Sequence, residues 1–273
     1  MTGFAPDWLA LREPYDRKAR DETLLDRLAA WARAQDPSPL APLVVADLGG
    51  GTGSTLRAVA PTLGVPQTWH ILDHDPALVA TGSALSLPPG VPSLEARWHQ
   101  ADLTGDLAAS IPEVTALVTA SALLDLVSAD WLARLAALVQ ARGLAFYAAL
   151  TYDGRQRWNP IDPFDADALD RFDRHQKGKK SFGPALGPDA PARLRLLLEG
   201  RGAYAEAPSD WRLGPDDRAL QAAVLDGWAG AIEDAAPGDA RGIQGWHAAR
   251  LRHVEAGRSR LVVGHKDQLW LPG

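Results

Sequence analysis

The sequence of 273 residues contains no cysteine. Without a thiol the chain cannot form disulfides, Cys-ligated zinc or iron–sulfur centres, or a cysteine nucleophile. Basic residues are also few, because 28 Lys and Arg stand against 34 Asp and Glu, which gives a formal net charge of -6. Binding to nucleic acid needs an excess of Lys and Arg on one face. This balance argues against a nucleic acid as substrate or partner.

Long apolar runs are missing as well. No window of the sequence has the length and hydrophobicity of a membrane span, and the first residues lack the apolar stretch of a secretory signal. We therefore expect a cytoplasmic protein with no membrane partner. No set of His, Asp and Glu residues has the spacing of metal ligands, so we expect no metal site.

What is present is an alternation of apolar strand patterns and amphipathic helix patterns. The residues between the predicted strands have helical spacing, which favours a parallel sheet with helices on both faces. A last strand is predicted at 258–271, near the end of the chain. The five earlier predicted strands lie at 42–48, 67–73, 91–103, 115–127 and 143–152.

Two regions depart from this alternation. Residues 6–36 have apolar positions at helical spacing, and Pro14 predicts a break or kink that leaves two short helices. Residues 153–191 are rich in Pro, Gly, Asp and Lys, which predicts a long loop that is a lid, a binding segment or partly disordered. After this loop we expect helices at 192–199, 216–235 and 241–255, and a short strand at 203–207.

A glycine-rich turn follows the first predicted strand, with the sequence Asp47-Leu-Gly49-Gly-Gly51-Thr-Gly53. Glycines allow positive φ and a close approach of the backbone to a ligand, and the helix that follows presents free N–H groups. A P-loop would require a lysine, which is absent. A dinucleotide fingerprint would require a third glycine at the position of Leu56.

The pattern that remains, an acidic residue followed by spaced glycines, resembles the first motif of class I S-adenosylmethionine-dependent methyltransferases. The resemblance covers about residues 43–150 and, more loosely, the last strand. It implies a three-layer, doubly wound α/β fold with a mostly parallel seven-stranded sheet and an antiparallel last strand. It also implies S-adenosylmethionine as cofactor and S-adenosylhomocysteine as product. Our hypothesis for the reaction is methyl transfer to an O or N atom.

The resemblance also implies which residues contact the cofactor. Asp73, at the end of the second strand, would accept hydrogen bonds from the ribose hydroxyls, and His74 would lie at the edge of the ribose or adenine. Asp75 is the alternative to Asp73, but it precedes Pro76 and has the position of a helix cap. The glycine loop contributes Asp47, Gly49, Gly51 and Gly53, although Asp47 could serve only to shape the loop.

Further contacts are implied after the third and fourth strands. Asp102 would bind the exocyclic amine of adenine and the Leu103 N–H a ring nitrogen, whereas the alternative role of Asp102 is a helix cap. Ser121 would lie beneath the methionine and methyl group, where a backbone contact is the usual role. Arg20, in an N-terminal helix, would pair with the methionine carboxylate.

No residue stands out as the general base. His175, in the predicted long loop, and Asp125, after the fourth strand, are weak candidates. Their alternative roles are an incidental histidine in a solvated loop and a solvated carboxylate at a helix start. Four tryptophans could line an acceptor pocket, with core packing as the alternative: Trp158, Trp211, Trp228 and Trp246.

We interpret the chain as one methyltransferase domain that acts on a small-molecule acceptor. Its parts would be an N-terminal helical cap (1–40), a cofactor-binding core (41–151), loop and helices that form the acceptor site (152–257) and a closing strand (258–273). A methyltransferase that acts on a protein and a non-catalytic binding or scaffold module are the alternatives. An NAD-dependent oxidoreductase is disfavoured by the missing third glycine. The sequence does not identify the acceptor or the oligomeric state.

Overall fold

The central sheet is built mainly from strands that run in the same direction. A computed structural model describes residues 5–235 and 240–273. The strands are β1 (Leu43–Leu48), β2 (Gln67–Asp73), β3 (Leu94–Gln100), β4 (Leu117–Ser121), β5 (Ala145–Asn159), β6 (Lys179–Lys180), β7 (Gly183–Pro184), β8 (Ala203–Pro208), β9 (Trp211–Leu213) and β10 (Arg260–Leu271). Their order in the sheet is β3-β2-β1-β4-β5-β10-β8, with β10 antiparallel to both neighbours. The predicted α/β class, with seven strands and an antiparallel last strand, is confirmed; β9 adds a short eighth strand on β10.

Helices cover both faces of this sheet. They are α1 (Pro6–Ala19), α2 (Glu22–Ala34), α3 (Ser54–Leu63), α4 (Pro76–Ala84), α5 (Leu107–Ser110), α6 (Ala129–Ala141), α7 (Asp165–Gln176), α8 (Ala190–Leu198), α9 (Arg218–Ala235) and α10 (Ala240–Glu255). Within the described residues, none of these helices is long and apolar enough to cross a bilayer.

Two cores hold the three layers together. On one face, α2 and α3 bury Leu28 and Val59 against Trp69 of β2. On the other face, α6 and α8 bury Leu135 and Leu194 against strands β4 and β5. Each fully buried side chain of this size stabilises the fold by about 1.5–3 kcal/mol. Side chains alternate between the two cores along each strand, as the period of two requires.

A third core lies beyond the parallel part of the sheet. Here α1, α7, α9 and α10 pack around the second half of β5 and the first half of β10. Six of its buried residues are aromatic: Tyr152, Trp158, Phe172, Trp211, Trp228 and Trp246. This core therefore contains all four of the tryptophans that the sequence suggests for an acceptor pocket.

The expectation of a loop over 153–191 is wrong. Strand β5 continues to Asn159 as an antiparallel ribbon with β10, helix α7 follows, and β6 and β7 form a small hairpin. Helix α7 buries only Ala168 and Phe172, so its apolar periodicity is too sparse to be recognised among so many charges. The ribbon is stabilised by pairing with β10, which lies about a hundred residues further along the chain. The sequence predicts β10 as a strand but does not show which segment pairs with it.

The two expected N-terminal helices are present, but the expected break at Pro14 is wrong. Helix α1 continues through Pro14 and ends at Ala19. A proline inside a helix removes one hydrogen bond, but the packing of Trp8, Leu11 and Tyr15 against the third core compensates for that loss. The break between the two N-terminal helices lies at Arg20 and Asp21, where Asp21 caps α2 by accepting a hydrogen bond from the Leu24 N–H at 2.8 Å.

A buried carboxylate holds β5 in an irregular conformation. Ala149 and Leu150 of β5 lie opposite the single residue Asp267 of β10, and Leu150 has a φ of 54°. Positive φ is unfavourable for a residue with a branched side chain. Asp267 is fully buried and accepts hydrogen bonds from the Leu150 N–H (2.9 Å), the Tyr147 hydroxyl (2.7 Å) and the Asp21 N–H (3.1 Å). These three hydrogen bonds hold the β-bulge that Ala149 and Leu150 form, and they connect the start of α2 to the sheet.

We predict that Asp267→Ala lowers the free energy of unfolding by about 3–5 kcal/mol, because it leaves buried donors without an acceptor. Urea denaturation followed by circular dichroism measures this loss. Asp267→Asn retains a carbonyl oxygen and the side-chain volume, so its loss should be smaller. A loss below about 1 kcal/mol for the alanine variant would contradict the role given to this carboxylate.

Candidate functional site

A cavity of about 550 Å³ lies at the carboxyl ends of the parallel strands. In open α/β sheets this edge is where ligands bind. The register places Leu48 of β1 opposite Leu72 of β2 and Ala120 of β4, so these three strands end at the same level of the sheet. The predicted residues that line this cavity are Gly49, Gly51, Asp73, His74, Asp102, Leu103 and Ser121.

The glycine loop forms the floor of the cavity. Gly49, Gly51 and Gly53 have φ values of 63°, 53° and 83°. Gly50 is required for a different reason: a Cβ there would lie 2.5 Å from Ile71 Cγ2. The Gly49 N–H donates to the Leu72 carbonyl at 2.9 Å, which anchors the loop to β2. Gly53 caps α3 and lies outside the cavity wall.

Of the two aspartates considered for ribose, Asp73 alone lines the cavity. Its carboxylate accepts hydrogen bonds from the Gly51 and Asp75 N–H groups, both at 2.9 Å. A carboxylate has about four acceptor positions, so two remain for a ligand. The Asp75 side chain instead accepts from the Ala77 N–H at 2.8 Å and caps α4, as its position before Pro76 indicated.

The turn after β3 supplies the next part of the wall. Asp102 Oδ1 accepts hydrogen bonds from the Thr104 hydroxyl (2.7 Å) and N–H (2.9 Å), and these bonds lower the pKa of Asp102. Like a helix cap, the Asp102 carboxylate accepts a hydrogen bond from a backbone N–H two residues later. Both hydrogen bonds use Oδ1, so Oδ2 of Asp102 is left for a ligand. The Leu103 carbonyl accepts from Trp131 Nε1 at 2.6 Å. Phe182, from the turn between β6 and β7, packs edge-on against Trp131 and also lines the cavity.

Asp47 lies beneath the loop, outside the cavity wall. It is fully buried and accepts a hydrogen bond from the Thr119 hydroxyl at 2.7 Å. Burial raises the pKa of Asp47 to about 7, although the Thr119 bond and the charge of Arg20 oppose this shift. No described residue forms a hydrogen bond with its second oxygen, Oδ2.

Arg20 also lies behind the wall. Its Nη2 donates to Ser121 Oγ at 2.8 Å, and its guanidinium carbon lies 5.9 Å from the centre of the Tyr147 ring. Ser121 lines the cavity and Arg20 does not. The structure therefore brings Arg20 to the predicted site through Ser121, which it holds in place.

Helix α1 covers the cavity with three residues that the sequence analysis did not identify: Leu9, Arg12 and Asp16. They share one face of the helix through spacings of three and four residues, but no motif marks them. The helix is fixed over the glycine loop by Arg57, which donates to both Glu13 carboxylate oxygens at 2.7 and 2.6 Å. Arg57 also donates to the Thr52 carbonyl at 2.7 Å.

A second cavity of about 400 Å³ adjoins the first. Arg12, Ala122 and Leu126 line both of them. Most of the other lining residues are apolar or aromatic and include Trp8, Leu150, Tyr152, Phe172, Trp211, Trp228 and His265. Asp125, one of the two general-base candidates, lines this cavity.

The remaining sequence candidates lie elsewhere. His175 is in the last turn of α7, lines neither cavity, and has a pKa lowered by burial. Trp158 and Trp246 pack edge-on against each other in the third core. Within residues 5–235 and 240–273, no cluster of three or more His, Asp or Glu residues is arranged to hold a metal ion.

Comparisons with known proteins find similarity in structure but not in sequence. No family model and no curated protein matches the chain. Some of the similar solved structures are described as S-adenosylmethionine-dependent methyltransferases, and others as putative methyltransferases. One is a putative type II methyltransferase from Anaeromyxobacter dehalogenans, 17% identical over 91% of this chain and 97% of that one, with a TM-score of 0.48. Another, from Geobacter sulfurreducens in complex with S-adenosylhomocysteine, is 16% identical over 98% of each chain, with a TM-score of 0.44.

We predict that Asp47→Asn changes how stability depends on pH. The folded-state pKa of about 7 lies above the ordinary value of 3.8, so ionisation of Asp47 disfavours the folded state. The free energy of unfolding of the wild type should therefore fall, relative to that of Asp47→Asn, as the pH rises from about 4 to about 7. Denaturation midpoints across this range measure the difference.

The matched control is Asp26→Asn, since Asp26 is exposed on α2. Its stability should follow that of the wild type at every pH. A constant difference between Asp47→Asn and the wild type would show that Asp47 is ionised normally in the folded protein.

Proposed function

We propose that this protein is an S-adenosylmethionine-dependent methyltransferase that transfers a methyl group to an O or N atom of a small-molecule acceptor. The observation that carries the proposal is the arrangement of Gly49, Gly51, Asp73, Asp102 and Ser121 around one cavity. These residues leave four adjacent parallel strands in the order that the family resemblance predicts.

The residues of the cavity fit an adenosine group joined to methionine. Asp73 has acceptor positions left for the two ribose hydroxyls. Asp102 lines the same cavity as Leu103 and Phe182, and a carboxylate with apolar side chains suits a flat base that carries an amino group. A Cβ on Gly51 would approach Leu9 Cδ1 to 3.3 Å and Asp73 Oδ2 to 4.0 Å, so a glycine keeps this passage open.

The chemistry requires alignment more than activation. When bound, S-adenosylmethionine supplies a methyl group on a sulfonium sulfur that is already a good leaving group. The protein must hold this group in line with the acceptor, and such alignment can contribute about 7–11 kcal/mol to lowering the barrier. Ser121, fixed by Arg20, and Gly49 would position the methionine end, while α1 would exclude water from above.

We place acceptor specificity mainly in residues 152–257, with 1–40 as a cap, 41–151 as the cofactor-binding core and 258–273 as a closing strand. In support, Trp211, Trp228 and Phe172 of this region line the second cavity, which adjoins the first. A concave cavity with apolar and aromatic walls suits a small molecule better than a protein surface. A cytoplasmic location also stays a prediction.

We predict that Asp73→Ala weakens binding of S-adenosylhomocysteine by roughly ten- to a hundred-fold, because hydrogen bonds to a charged acceptor are worth about 1.5–3 kcal/mol. Isothermal titration calorimetry measures the dissociation constant. Asp75→Ala is the matched control, since Asp75 caps a helix in the adjacent turn and does not line the cavity. That variant should lose stability but keep its affinity.

Titration of the wild type with NAD distinguishes the alternatives. Binding of S-adenosylhomocysteine but not of NAD supports the proposed cofactor. Binding of NAD alone would overturn it in favour of an oxidoreductase. Failure of both to bind would favour a scaffold module that does not use the cofactor.

A further inference from the structure

We propose that the second cavity binds an uncharged, planar aromatic molecule whose hydroxyl group hydrogen-bonds to Asp125, and that this molecule is the methyl acceptor. The assignment of an aromatic ligand to this cavity is argued from the residues that line it. Its role as the acceptor site rests on the proposed function.

Aromatic rings form much of the cavity wall. Trp228 and Phe172 stack in parallel with their ring centres 4.0 Å apart, and Trp8 meets Trp211 edge-on at 6.3 Å. The Tyr152 hydroxyl donates to Asp173 Oδ1 at 2.9 Å, so this residue offers its ring to the cavity and keeps its polar atom engaged. Rings of this kind favour a flat aromatic ligand through stacked and edge-on contacts.

Charges at the cavity disfavour an ionic ligand. The Arg12 guanidinium carbon lies 4.9 Å from the centre of the Trp211 ring and 5.8 Å from that of Trp8, so a cation already occupies these rings and would repel a second one. The carboxyl group of Asp125 would repel an anion. Burial lowers the pKa of His265 to about 3, so His265 is a neutral ring that offers no charge to an acidic ligand.

Asp125 is the polar group best placed to orient such a ligand. It lies after β4 in the 3-10 turn Leu124–Leu126. Ala122, which precedes this turn, and Leu126, which ends it, line both cavities. No described residue forms a hydrogen bond with its Oδ1. A buried carboxyl oxygen without a donor is costly, and a ligand hydroxyl at this position would relieve the cost.

Burial also prepares Asp125 to accept a proton, because it raises the pKa of this carboxyl to about 6. A hydrogen bond from the backbone N–H of Asp125 and the charges of Arg12 and Lys180 oppose the shift. The other titratable groups on the facing strands are Tyr152, whose pKa is raised, and the neutral His265. At about neutral pH Asp125 is therefore mostly ionised and is a stronger base than an ordinary aspartate.

Methyl transfer from S-adenosylmethionine to the hydroxyl group of this aromatic acceptor then needs no third reactant. The acceptor O–H bond breaks and its proton passes to the Asp125 carboxylate. The oxygen forms a bond to the methyl carbon while the carbon–sulfur bond breaks, and the electron pair of that bond stays on the sulfur. The products are an aryl methyl ether, a protonated Asp125 and the neutral thioether.

The backbone at the cavity supports a functional assignment. Ala122 and Leu150, with φ values of 49° and 54°, both line the second cavity. Non-glycine residues rarely adopt such angles, and they concentrate at sites where a ligand or a reaction requires them. Each is held by a backbone N–H: that of Ala122 donates to the Ala149 carbonyl at 2.9 Å and that of Leu150 to Asp267.

The test compares 6-hydroxyquinoline with quinoline, two soluble molecules of the same shape that differ in one hydroxyl. Calorimetric titration of the purified protein without cofactor at about pH 7.5, where both ligands are largely uncharged, measures binding independently of turnover. We expect 6-hydroxyquinoline to bind with a Kd below about 1 mM and roughly tenfold more tightly than quinoline. Asp125→Ala, checked for folding by circular dichroism, should remove this preference.

A matched pair of glycine variants tests the location. Gly227 and Gly230 are both exposed on α9, and a Cβ at either meets nothing within 4 Å, but only Gly227 lines the cavity. Leucine raises helix propensity equally at both positions. Gly227→Leu should weaken binding of both aromatic molecules by about tenfold or more, whereas Gly230→Leu should change it by less than about twofold.

The outcomes separate this proposal from the proposed function. Normal binding of S-adenosylhomocysteine with no binding of either aromatic molecule overturns the aromatic cavity and leaves the proposed function standing. Equal binding of both molecules, unchanged in Asp125→Ala, overturns the role of Asp125. Selective binding of 6-hydroxyquinoline by a protein that does not bind S-adenosylhomocysteine overturns the role of the cavity as an acceptor site.

Discussion

The register of three parallel strands is the constraint on which the rest of the site depends. Leu48 pairs with Leu72 on one side and with Ala120 on the other, so β1, β2 and β4 end at one level. Because each chain turns out of the sheet there, the glycine loop, Asp73 and Ser121 become neighbours although they are distant in sequence. A shift by one residue would turn every side chain of a strand to the opposite face and separate these groups.

Buried polar groups beneath this edge of the sheet hold the residues of the two cavity walls in position. Asp267 holds Tyr147 and the bulge at Leu150, while Arg20 packs over the Tyr147 ring and donates to Ser121. Hydrogen bonds between buried polar groups restrict these groups to few arrangements, since most others would leave further donors and acceptors unpaired. Ser121 and Leu150, on the walls of the two cavities, are therefore held by groups that belong to a single network.

The sequence predicts the parts of the fold and site that are encoded locally. The glycine loop, the strand before it and the aspartate that follows the second strand each lie within one short segment, and their residue types are dictated by backbone angles or by hydrogen bonding. The second cavity could be predicted only in part. The sequence suggests Asp125, Trp211 and Trp228 for an acceptor site, but Trp8, Tyr152 and His265 come from α1, β5 and β10 and meet only through tertiary packing. Helix α7 and the extension of β5 were missed because their apolar positions are few and their partners are distant.

The antiparallel ribbon explains why a second cavity exists at all. In the parallel half of the sheet, strands stop at the site edge and the chain turns into helices. Strand β5 instead continues past this edge to Asn159, paired with β10. The two strands form an antiparallel ribbon that extends beyond the end of β4 and serves as a wall. Helices α1, α7 and α9 pack on that wall and leave a gap lined by their aromatic residues. The bulge at Ala149 and Leu150 lies where this extension begins and brings Leu150 to that gap, so the extended part of the sheet and one wall of the second cavity start at the same place.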